Sequence, residues 1–259
     1  MSRTLEFPLQ LSVDELAYLL SMLHTTHIPG LKIAKLLSGD EHVRQQQLMR
    51  GYEELVREGW AEEVSLEGRT YIDLHSKLVE YITILVDPEA AFIASVKMEK
   101  TDDDRGLLVY FSHEKILEVV PLKESIVIRP LNSIDAVERT LVQWLGIPEQ
   151  LAMSWEVTLS KRDAQVLAHG DLQDFEWEME SPLAELVETR KHLTAIAQLV
   201  LMKIRDADIV SVQAWGMLVG GEQNRIAWLF QEMDDHVRYL SCDQPCFHRF
   251  LQTVISTEH

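Results

Sequence analysis

The stretch SWEVTLSKRDA, residues 154–164, looks like the beginning of the chain, LEFPLQLSVDEL at residues 5–16. In the early copy Leu5, Phe7, Leu9 and Leu11 alternate, and Ser12 is followed three residues later by Glu15. In the later copy Trp155, Val157 and Leu159 alternate, and Ser160 is followed by Asp163. Alternation is the period of a strand with one buried face. A serine with an acidic residue three positions on marks a helix N-terminus: the hydroxyl accepts from an orphan N–H, and the carboxylate meets the positive end of the helix dipole. Each copy therefore predicts a strand running into a helix, and the two capping serines stand 148 positions apart. The chain reads as two pseudo-repeat halves, 1–150 and 151–259, within a single compact α+β domain.

Working outward from the first copy, Leu16, Leu19, Leu20 and Leu23 share one helical stripe, and HIPG at 27–30 stops that helix. A second helix is expected from about His42 to Glu58, with Leu48, Tyr52, Leu55 and Val56 inward and Gly59 as its stop. Two short strands around EGR follow, then a helix from about His75 to Val86 that Asp87-Pro88 ends. FIASVKM, LLVYFS, ILEVVP and IVIRP predict an antiparallel meander, and Ile134, Val137, Leu141 and Leu145 predict a closing helix. The second half should repeat the order: a helix from Ser160, a long helix from about Pro182 to Arg205, strands DIVSVQAWGM, RIAWLFQ and VRYLS, and a final helix around His248 to Val254. LLVYF at 107–111 then aligns with IAWLF at 226–230, an offset of 119, leaving about 29 residues extra in the first half. The fold class is an antiparallel β-sheet flanked by helical bundles, with a quasi-two-fold internal repeat.

Composition narrows the function. With 24 basic and 42 acidic residues, the net charge of −18 repels phosphate backbones and anionic lipid and favours uncharged or basic partners. No stretch approaches the roughly 20 apolar residues of a membrane span, and MSRTLEFPLQ has no apolar signal core, so a cytoplasmic location is expected. Cys242 and Cys246 are too few for a disulfide framework.

Local motifs give little chemistry. LMRGYEELVREGWAEEVSLEGRTYIDL, 48–74, has the outline of a winged helix, yet Arg44, Arg50, Arg57 and Arg69 are outnumbered by Glu53, Glu54, Glu58, Glu62, Glu63 and Glu67. A DNA-binding version should be basic there. His24 and His27, and Cys242, Cys246 and His248, lack the second ligand pair of a structural zinc site. Asp102, Asp103 and Asp104 diverge as consecutive loop carboxylates and lack the alternation of a calcium loop. Phosphate-cradle, dinucleotide, zincin and nucleophile-elbow motifs do not occur, so no catalytic residue, cofactor or metal is assigned.

Taken together, LxLSxxE, the RGYEELVREGWAEE turn, the hydrophobic helix ending in Asp87-Pro88, the meander and the second LSxxD half resemble the EspG family. These are cytosolic chaperones of type VII (ESX) secretion systems. The resemblance covers nearly the whole chain and rests on apolar and capping patterns; the Ala/Arg/Gly-rich composition of mycobacterial members is missing. It implies no catalysis and a protein client, a helical secreted protein or pair, held by the sheet, a strand-connecting loop and the second-half bundle. By position, the loop supplies Glu99, Asp102, Asp103, Asp104 and Arg105. The apolar run IAQLVLMKI, read as the end of the long helix, needs cover on more than one side: it is either a central buried helix or, through Ile196, Leu199 and Met202, a docking face. Neither nucleic acid nor membrane is expected as a partner, and the chain should be a monomer or homodimer. A winged-helix regulator is the second reading, and an enzyme whose site is assembled from distant residues is the third.

Overall fold

A computed structural model describes residues 8–31, 40–99, 101, 104–113, 115–169, 181–221 and 225–256. Through the first half the elements are β1 (Leu9–Ser12), α1 (Val13–Met22), α2 (Glu41–Glu58), β2 (Ala61–Leu66), β3 (Arg69–Leu74), α3 (Ser76–Val86), β4 (Ala90–Met98), β5 (Asp104–Ser112), β6 (Lys115–Pro121), β7 (Ser125–Leu131) and α4 (Ile134–Leu145). The second half supplies β8 (Glu156–Ser160), α5 (Lys161–His169), α6 (Pro182–Lys191), β9 (Leu193–Arg205), β10 (Asp208–Gly220), β11 (Ile226–Glu232), β12 (His236–Cys242) and α7 (Gln244–Ser256). The fold is α+β, and every pairing with a resolved register is antiparallel. Two compact units form: Met1–Ala91, Leu107–Asn132 and Met202–Ser211 in one, and Phe92–Gly106, Ser133–Leu201 and Val212–His259 in the other.

In the first unit the strand order is β1-β7-β6-β5. Leu9 and Leu11 of β1 are buried, paired with Ile128 and Ile126 of β7. Ser12 then caps α1 with both halves of the expected box: its Oγ accepts from the Glu15 N–H at 3.1 Å, and its own N–H donates to Glu15 Oε2 at 2.7 Å. The same hydroxyl donates to Glu54 Oε2 of α2 at 2.7 Å. Leu16, Leu19 and Leu20 are buried as the stripe requires, while Leu23, at the C-cap, is exposed. Leu5 and Phe7 lie outside the described residues.

α2 ends at Gly59, φ 76°, a left-handed position that favours glycine. Its buried face differs from the expected one. Gln47, Gly51 and Leu55 are buried, one helical turn apart, whereas Val56 is 39% exposed. The reason is Gly51, whose missing Cβ would lie 2.1 Å from the Asp14 carbonyl oxygen. The backbones of α1 and α2 touch at this point, and that contact sets which stripe of α2 turns inward. β2 and β3 form the separate two-stranded hairpin, turned by Glu67 and Gly68, both at positive φ.

In the second unit the order is β4-β9-β10-β11-β12-β8. The chief correction lies here: the expected helix from Pro182 to Arg205 stops at Lys191, and Leu193–Arg205 is a 13-residue strand. A run apolar on all sides fits either a buried helix or a strand covered on both faces. Leu193, Ala195, Ala197, Leu199 and Leu201 alternate as buried positions, the period of a strand. LLVYF lies in β5, the second strand after α3, and IAWLF in β11, the third after α6, so the expected alignment of the two does not follow the element order; α3 and α6 are each followed by four strands and a closing helix. α4, the expected closing helix, ends at Gly146, φ 63°.

Candidate functional site

The second unit carries an apolar cleft beside α5. Ser160 starts this helix, its Oγ accepting from the Asp163 N–H at 3.1 Å and donating to Asp163 Oδ2 at 2.7 Å. β8 holds the serine in place through its register with β12, Ser160 opposite His236. Below α5 lies a core of Val157, Leu167, Leu186, Leu193, Trp228 and Tyr239. The Trp228 Nε1–H, fully buried, donates to Thr189 Oγ1 at 3.0 Å, so the indole enters the core without an unpaired donor.

The cleft has a volume of about 440 Å³; Ala164, Leu167, Ile196, Leu218, Phe230 and Tyr239 form its apolar wall. Phe230 and Tyr239 meet at a tilt of 31°, with ring centroids 5.3 Å apart. Phe230 sits where it does because its cross-strand partner is Gly216: a Cβ there would lie 1.9 Å from the Phe230 ring. The rim is polar. Lys161 Nζ reaches Glu232 Oε1 at 2.8 Å, and the Arg190 guanidinium donates to the Ala168 carbonyl at 2.8 Å. Burial pushes the Tyr239 phenol up to about 12, so it stays neutral. Such a recess, apolar within and charged at the rim, has the chemistry to take an apolar group and orient it by polar contacts at its edge.

The residues expected from sequence to contact a partner fall in different places. Ile196 is half-buried and faces the cleft, on a strand rather than a helix. Leu199 is fully buried and Met202 is 7% exposed, so their side chains serve the interior. Glu99 and Asp104 are exposed, and the Arg105 guanidinium lies 5.8 Å from the Trp144 ring centroid. Asp102 and Asp103 lie outside the described residues. Leu218, Phe230 and Tyr239 were not anticipated as site residues, although the strands that carry Phe230 and Tyr239 were expected; burial along β10 and β11 runs in blocks, which gives no signal for a cleft wall.

Other sequence candidates resolve simply. Cys242 is buried at the end of β12, its thiol donating to the Asp243 carbonyl at 3.6 Å, and its nearness lowers the Cys246 thiol below the ordinary range. Among the described residues, neither cysteine and neither His24 nor His27 joins a group of three potential metal ligands. Arg50, on the helix that a winged-helix reading would expose, is tied to Asp14 by a 2.7 Å ion pair. Beside it Tyr52 donates to Glu63 Oε1 at 2.5 Å, and this bond raises the phenol to about 12. No described helix is long and apolar enough to cross a membrane.

These features define an α+β chain with an apolar cleft built on an antiparallel sheet. No family profile and no curated protein matches the sequence. Among solved structures, the chain is similar in fold to the Mycobacterium tuberculosis type VII secretion system chaperone EspG5, determined in complex with a PE25–PPE41 dimer. The TM-score is 0.62 at 11% identity, covering 97% of this chain and 96% of that one. At such identity the likeness shows a shared fold.

Proposed function

We propose that this protein is a non-catalytic, cytoplasmic chaperone or adaptor that holds a helical protein client, in the manner of type VII secretion chaperones. The observation that carries the reading is the end-to-end likeness in fold to a chaperone solved with its client dimer. The client contacts are the half-buried Ile196 in the cleft and the charged stretch Glu99, Asp104 and Arg105. Leu199 and Met202 hold the strand beneath. A helical client is supported by the first unit, where α2 lies against α1 through Gly51; α5, which corresponds to α1 in order, has the cleft at its side. The quasi-two-fold repeat belongs to the same proposal, since each half places four strands between its helices.

The test is purification of the tagged chain from its own organism, followed by size exclusion and mass spectrometry. A stoichiometric helical partner that co-elutes with the chain, and is lost in Ile196→Ser and in the pair Glu99→Lys, Arg105→Glu without a change in melting temperature, is the expected result. Elution of the chain alone, or a partner retained by both variants, overturns it. DNA binding and enzymatic activity have no supporting observation.

A further inference from the structure

α4 and α7 bring together three side chains that no part of the proposed function uses. Asp135 and Glu138 stand three residues apart and so share one face of α4. Across from them is His248, in the second turn of α7, whose Nδ1 lies 2.7 Å from Glu138 Oε2. One ligand atom from each of the three falls within 4.8 Å of the others. The Ser133 hydroxyl donates to Asp135 Oδ2 at 3.3 Å and steadies the first carboxylate.

We propose that Asp135, Glu138 and His248 form a site for one divalent transition-metal ion of the zinc type, which clamps α7 to α4. Bonds of about 2.0–2.2 Å to nitrogen and oxygen place tetrahedral ligands roughly 3.3–3.6 Å apart. The three atoms lie within 4.8 Å of one another on side chains that are exposed or half-buried, so ligation opens the 2.7 Å contact between His248 and Glu138 and draws Asp135 to the same ion. One imidazole with two carboxylates suits zinc, and the nitrogen ligand disfavours magnesium and calcium. The chain's charge of −18 further raises the local concentration of cations. The fourth position is left to water. Beside His248 on α7, Phe247 and Leu251 are buried, and Phe250 meets Trp215 edge-on at 5.2 Å. A metal at His248 therefore adds a hold at the exposed edge of a helix that these residues already anchor in the core.

The experiment is calorimetric titration of the full chain, under reducing conditions, with zinc, and separately with magnesium. Zinc should bind at one site, at least tenfold more tightly than magnesium, and raise the melting temperature. His248→Ala and Glu138→Gln should each weaken zinc at least tenfold and remove the thermal shift, while Cys246→Ser leaves both unchanged. Glu138→Gln preserves shape, so a folding defect in His248→Ala alone does not blunt the test. Absence of saturable zinc binding, binding that survives both ligand variants, or loss in Cys246→Ser overturns the proposal.

Discussion

The two halves of the chain solve one problem differently. Each begins with a short strand whose serine caps a helix, and each ends with four strands and a helix. In the first half α2, β2 and β3 are inserted after the opening helix, and α2 closes over α1 so tightly that Gly51 has no room for a Cβ. Half of α1 is buried, including a glutamate. In the second half only Ala164 and Leu167 of α5 are buried, and a cleft remains at its flank. Similar element orders do not give similar surfaces: α2 packs on α1 and makes it part of the interior, whereas α5 keeps an apolar cleft at its flank.

The strongest way to break this comparison is to fill the α1–α2 contact. Gly51→Val would push a side chain into the Asp14 carbonyl and should cost about 3 kcal/mol or more, since neither backbone can yield. Urea unfolding measures it, and a loss below about 1 kcal/mol would mean the helices are not in backbone contact.

A smaller effect separates the two caps. Ser12→Ala loses the cap and the bond to Glu54, and should cost about 1–2 kcal/mol; Ser160→Ala, at an exposed cap, should cost about 0.5–1 kcal/mol. Equal losses would remove the distinction between a buried and an open helix start.

The third prediction concerns Glu15, which is 3% exposed. Burial raises its carboxyl above the ordinary value of 4.5, opposed by the Ser12 N–H, with Glu58 and Glu54 adding to the rise. The native state therefore holds this proton more firmly than the unfolded chain, and stability falls as pH rises from 4.5 through the raised value. Glu15→Gln keeps the acceptor for the Ser12 N–H and removes the charge. It should be more stable than the parent at neutral pH, with the advantage vanishing below about 4.5, checked by melting at a series of pH values. The smallest expected effect is none at all: random duplex DNA should show no mobility shift at physiological salt, because the hairpin after α2 displays Glu62, Glu63 and Glu67.

Sequence foretold what rests on local rules. The Ser12–Glu15 box, the leucine stripe of α1, the stop at Gly59 and the turn at Glu67-Gly68 each follow from a residue's own conformational preference or hydrogen-bonding capacity. β9 failed because nothing but His192 separates Lys191 from Leu193, and LTAIAQLVLMKIR is apolar enough to satisfy either period once both sides are covered. As a helix the run would place Leu199 and Met202 on a helical face, whereas the strand buries both. Of the cleft, Ile196 alone was named, on the wrong kind of element. Glu138 and His248 lie 110 positions apart, so their meeting needed the fold.

Gly216 bears on the history of the chain as well as its shape. A strand interior ordinarily disfavours glycine, and here the position is a socket for the ring of Phe230. Neither residue can drift alone: any side chain at 216 collides with the ring, and any loss of the ring leaves a hollow over the glycine. Among descendants of this gene the two positions should change as a pair, alanine or larger at 216 accompanying a smaller residue at 230. A collection of related sequences would show that exchange as covariation across one rung of the β10–β11 ladder.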